Sequence, residues 1–169
     1  MKTKLTIATF LIVLTAGNVF AQYSPADATH SSQMVSMACI FEKGISEKAD
    51  CEIYIYKNPD VQNVIKTFEG QKLGNTTLKT LSSGEGLPTG HPDIVFIGDK
   101  KNFEELLAYC NDNDVLTLTN IPSLVKKGVT LGMGVDGAGT PRLLINPDGV
   151  AEQGRNFNPA IMKIAKVFK

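Results

Sequence analysis

Three cysteines, two histidines and one glycine-rich segment are the parts of this chain whose residue types could do chemistry. Cys39, Cys51 and Cys110 allow at most one intramolecular disulfide and leave one thiol over, which most simply is a small buried apolar residue. His30 and His91 stand at no ligand spacing from a cysteine or from each other, so the pattern offers no metal centre. Gly132-Met133-Gly134-Val135-Asp136-Gly137 spells G-x-G-x-x-G. A dinucleotide loop needs a strand before it and a helix after it, so that backbone N–H groups and a helix end meet the phosphates. Here Thr140-Pro141 and the apolar Leu143-Leu144-Ile145 follow, and a β-hairpin turn fits better. His91-Pro92-Asp93 has no positioned nucleophile beside it. Asp60, Asp99 and Asp148 each open a helix, where capping accounts for them. Asn75-Thr76-Thr77 matches a glycosylation acceptor, a pattern short enough to arise by chance. No Ser/His/Asp arrangement and no carboxylate pair stands out, so no catalytic residue and no cofactor is assigned. A triad scattered in sequence is the remaining route to an enzyme.

The strongest signal lies at the N-terminus. Met1-Lys2-Thr3-Lys4 is a short positive start, and Leu5 to Thr15 is a short apolar run. Val19-Phe20-Ala21 then puts small residues at the −3 and −1 positions of a peptidase site. Together they make residues 1–21 a secretory signal peptide, cut between Ala21 and Gln22. The run is short of the roughly 20 apolar residues that span a bilayer, and no later segment could do so, so no membrane insertion is expected after cleavage. The whole chain has 17 basic and 17 acidic residues. Removing Lys2 and Lys4 with the leader leaves 15 against 17, a net charge near −2. That balance gives no electrostatic reason to expect nucleic acid or an acidic membrane as partner.

The rest must position these residues. Its length, 169 residues, and 43% hydrophobic content favour one domain with a real core. Residues 22–32 are polar and small and read as a flexible lead-in to a domain over 33–169. Met34, Met37, Ile40, Phe41 and Ile45 recur at helical spacing, predicting a helix over 33–47. Cys51 to Tyr56 alternates as a strand, and Asn58-Pro59-Asp60 starts a helix with Val61, Val64, Ile65 and Phe68 inward. A weaker strand covers 76–81, and 82–92 is a loop. The continuous apolar run Asp93 to Ile97 is a strand covered on both faces. A helix follows at about 101–110, then strands over 115–119, 129–135 and 142–145. An amphipathic helix with Ile161, Ile164, Ala165 and Phe168 closes the chain. The order predicts an α/β fold: a single three-layer domain, its sheet mostly parallel, with an antiparallel C-terminal hairpin at one edge.

In such a sheet a strand start and the end of the preceding helix lie at the same edge. Cys51 opens a strand and Cys110 ends a helix, so Cys51–Cys110 is the preferred disulfide, with Cys39–Cys110 as its rival.

Several segments together resemble the YfiR-like family of exported proteins. Val115 to Thr119 looks like the family's "vLTvsd" strand, Lys127 to Leu131 like its glycine-led edge strand, and Arg142 to Asn146 like its "rFeIN" strand. Asp93 to Ile97 and Ile161 to Phe168 are similar to its middle strand and last helix. The likeness covers most of 33–168. Two places depart from it. The family's first helix ends in an aromatic-rich segment with Trp-Pro, where this chain has Phe41-Glu42-Lys43-Gly44 and no Trp. Many members carry a Cys before the middle strand, paired with the one at the first strand, where this chain has His91-Pro92. What the resemblance implies is a bacterial periplasmic regulator that restrains a membrane-bound diguanylate cyclase through the cyclase's periplasmic sensor domain. Cyclic di-GMP and biofilm formation would fall accordingly, and by the same analogy the protein would be a homodimer. A periplasmic module binding a small ligand is the alternative, and an unrecognised hydrolase a third class.

Overall fold

The computed structural model describes residues 23–169. The expected leader, 1–21, and the Ala21/Gln22 cleavage site lie outside the described residues. In chain order the elements are β1 (Ser24–Pro25), α1 (Ala28–Phe41), α2 (Lys43–Ser46), β2 (Asp50–Tyr56), α3 (Pro59–Lys66), β3 (Lys72–Leu73) and β4 (Thr76–Gly84). There follow β5 (Ile94–Ile97), α4 (Phe103–Asp112), β6 (Leu116–Thr119), α5 (Pro122–Val125), β7 (Leu131–Val135) and β8 (Pro141–Ile145). Then come α6 (Pro147–Glu152), a 3-10 turn (Pro159–Lys163) and β9 (Ala165–Val167).

One sheet runs β3-β4-β2-β5-β6-β7-β8-β9, and β1 pairs with β7 where β6 has ended. β4, β2, β5, β6 and β7 are parallel neighbours, while β7 and β8 form the antiparallel hairpin. Alternation along β2 sends Cys51, Ile53 and Ile55 to one face and Tyr54 and Tyr56 to the other. The first face is covered by Met34, Val35, Ala38 and Cys39 of α1 and by Val61 and Ile65 of α3. The second is covered by Phe103, Leu106, Leu107 and Cys110 of α4. Ile94 to Ile97 are all buried because the central strand is covered on both sides. This is the expected α/β domain with helices on both faces of a mostly parallel sheet.

Three boundaries differ from the sequence reading. The segment read as a flexible lead-in is built into the fold over 23–32. Ser24-Pro25 pairs with β7, Asp27 caps α1 by accepting from His30 N, and Ser31 and Ser32 are buried. The polar composition hid a helix start, because Asp27 and the small serines lie where α1 docks. The helix expected over 33–47 is broken at Glu42, whose backbone is extended. The closing helix is a 3-10 turn followed by β9, which pairs parallel to β8, so the hairpin is not the sheet edge. Spacing of Ile161, Ile164 and Ala165 fits a helix, but pairing with Leu143 to Ile145 wins: tertiary context overrides a short periodic pattern.

Candidate functional site

The glycine-rich segment is a hairpin built for packing. Gly132 and Gly134 lie inside β7. A Cβ on Gly132 would sit 2.3 Å from Val125 Cγ2, and one on Gly134 2.8 Å from Pro122 Cγ and 2.9 Å from Tyr23 Cβ. The glycines therefore let α5 and Tyr23 lie flat on the strand. At the turn, Asp136 accepts from the N–H groups of Ala138 and Thr140 and from Arg142 Nε at 2.8 Å. Those bonds, the Thr140 N–H foremost, hold its carboxyl below the ordinary carboxylate range. A strand, β8, and not a helix follows this loop.

The other candidates have structural roles. Asn58 and Asn146 cap α3 and α6, accepting from Val61 N and Asp148 N, so Asp60 and Asp148 sit in first turns rather than at the caps. There they face the positive end of the helix dipole. Asp99 accepts from Lys101 N, and the N-terminal boundary residue of α4 is Asn102, in the left-handed region with φ 57° and without a side-chain capping bond. Asp93 is held by Lys48 Nζ and accepts from Glu52 N at 2.8 Å. His30 bonds to Asp27, and His91 is exposed. Among the described residues no hydrogen bond joins either histidine to a hydroxyl, and no group of three His, Cys, Asp or Glu could hold a metal ion.

Ligands of doubly wound sheets sit beyond the carboxyl ends of the strands, where successive connections leave on opposite faces. Here that place lies between β2, which leads to α3, and β5, which leads to α4. It is packed shut. A Cβ on Gly98 would come 2.3 Å from Asn58 Cβ and 2.8 Å from the Tyr56 carbonyl oxygen. A surface groove of about 440 Å³ lies beside β4. Glu52, Thr80 and Ser82 form its floor, and the loop carrying His91 forms its wall. Tyr54 and Tyr109 strap that loop down, their hydroxyls donating to Gly86 and Gly90 carbonyls at 2.7 and 2.6 Å.

Two buried polar groups carried no sequence signal. Glu42, 2% exposed, accepts from Ile45 N at 2.7 Å and from Asn156 N at 3.2 Å. It thereby starts α2 and pins the 156–158 segment to the end of α1. Gln153, fully buried, accepts from Thr117 N and Thr130 Oγ1 and donates to Asn111 Oδ1.

The three cysteines are buried free thiols. Cys51 and Cys110 are not brought together, and neither are Cys39 and Cys110. Cys110 lies in the cluster under α4, on the opposite face of the sheet from Cys39 and Cys51. The shared sheet edge expected for Cys51 and Cys110 sets height only; strand alternation decides the face, and it turns Cys51 toward α1. Cys39 and Cys51 share one buried cluster, and their mutual interaction raises the Cys39 thiol above its ordinary range, burial adding to the rise, and lowers that of Cys51. Burial pushes the Cys110 thiol up to about 12, so it stays protonated and unreactive at neutral pH.

Exposed large apolar side chains gather at the sheet edge: Met162, Ile164 and Val167 are each about half exposed. Lys163, Lys166 and Lys169 alternate with them. Among the described residues no helix is long and apolar enough to cross a membrane.

No curated protein matches the chain. A family model described as YfiR/HmsC-like matches residues 42–166, from the buried Glu42 through the parallel strands and the hairpin to β9. That span is most of the domain just described, and the chain belongs to the YfiR/HmsC-like family.

Proposed function

We propose that the mature protein is a periplasmic regulator that restrains a membrane-bound diguanylate cyclase through the cyclase's periplasmic sensor domain, lowering cyclic di-GMP and biofilm formation. Membership of the YfiR/HmsC-like family over 42–166 carries this reading. The signal-peptide pattern of residues 1–21, with cleavage between Ala21 and Gln22, supports export. Restraint of this kind needs no chemistry in the regulator. It needs only a higher affinity for the inactive state of the partner than for the active one. The exposed apolar residues beside β9 fit a protein that works through its surface. A homodimer would double that surface around one axis and match a two-fold partner. Binding of a small ligand is the second reading, and the groove beside His91 is the feature that favours it.

Gene deletion tests the regulatory reading. Loss of the protein should raise cellular cyclic di-GMP and surface attachment. The full chain should restore both to their starting levels, and a form lacking residues 2–21 should not. Unchanged cyclic di-GMP in a strain that normally makes the protein, or full rescue by the leaderless form, would count against it.

A further inference from the structure

We propose that Cys39 and Cys51 are a disulfide-forming pair, a covalent staple between the last turns of α1 and the start of β2. Both side chains are fully buried in one apolar cluster on the face of the sheet that α1 covers, and each thiol shifts the other's titration as a direct neighbour. The chain between them is compact: α2 and one turn return it from the end of α1 to Asp50. Thr76, directly after the tight turn into β4, is fully buried, and its hydroxyl has no oxygen or nitrogen partner. It stands beside the Cys51 sulfur. Cys110 cannot compete, because the sheet separates it from both.

The oxidant is a disulfide of low-molecular-weight or protein thiols. Cys51 attacks it as the thiolate and forms a mixed disulfide, releasing one thiol. Cys39, deprotonated, then attacks the Cys51 sulfur, forms the Cys39–Cys51 bond and expels the second thiol. Two protein thiols are oxidised, one disulfide is reduced, and the two protons leave on the released thiols. Full burial means that this exchange takes place before α1 docks on the sheet, or when it lifts. That timing fits a chain that folds after export into an oxidising compartment, which is where this inference rests on the reading above.

The test separates the two claims. Reduced, denatured mature chain is refolded in a buffer of reduced and oxidised glutathione, then denatured without reductant. One free thiol should remain instead of three. Trypsin should release residues 22–43 joined to residues 49–57, with residues 102–126 carrying a free Cys110. Under the same treatment Cys39→Ala should keep two free thiols. Three thiols in the wild type, or a link to the 102–126 peptide in either protein, overturns the pairing. The same map is then made on protein recovered from cells. A bond that forms on refolding but is absent from the cellular protein leaves the pairing standing and overturns the export reading instead.

Discussion

Phe96→Ala should destabilise the domain by about 3–5 kcal/mol. Phe96 is fully buried on the central strand β5, paired with Ile55 on one side and Leu118 on the other. Its ring fills the layer between the sheet and α1, among the largest completely enclosed side chains of the fold. Truncation removes apolar contact and leaves a cavity that neither neighbour can close, since both strands are fixed by their own ladders. For a domain of this size, such a loss lowers the melting temperature by on the order of 10 °C. Thermal and urea unfolding of the wild type and the variant check this. A loss under about 1 kcal/mol would mean that the core is not packed around β5 as described.

Gln153→Leu should cost about 2–4 kcal/mol although leucine has nearly the same volume. The amide accepts from the Thr117 N–H and the Thr130 hydroxyl and donates to Asn111. Leucine would take the buried Thr117 N–H and the Asn111 side-chain oxygen away from the amide that bonds them beneath α6, and would leave the Thr130 hydroxyl only its 3.4 Å contact with Thr117 Oγ1; each buried group left unsatisfied costs about 1–3 kcal/mol. Gln153→Glu is the sharper companion. It keeps both acceptor sites but turns the donor to Asn111 into a buried negative charge, so its stability should fall as pH rises through the carboxyl's ionisation. Urea titrations across pH check the pair. A leucine variant as stable as the wild type would contradict the network.

These two positions mark what the sequence makes legible and what it does not. Phe96 lies in a continuous apolar run bounded by Asp93 and Gly98, and such a run has few homes other than a strand covered on both faces. The same holds for the buried face of α4 and for the β7–β8 hairpin, whose turn chemistry is local. Gln153 sits in a polar stretch with no periodic neighbours, and its partners lie on β6, on α4 and just before β7. Only the assembled fold brings them together. β9 shows the same limit from the other side: Ala165 to Val167 carries a helix-like spacing, and its strand pairing depends on an edge offered by β8. At the cysteines, sequence order gives the height of each thiol along the sheet. The face is set by strand alternation and by which side each helix takes, and that information is not local. Hence Cys51 is found beside Cys39 and not Cys110.

The central claim is that this fold acts by binding a membrane cyclase from the periplasmic side. The direct measurement is cyclic di-GMP synthesis by the full-length cyclase in lipid nanodiscs, where both of its faces are accessible, with and without the purified mature chain. A saturable fall of about 5-fold or more is expected, the scale of an ordinary coupling between two sites. That fall should vanish when the cyclase lacks its periplasmic domain. Synthesis unchanged at every concentration of the mature chain, or lowered equally without the periplasmic domain, would contradict it.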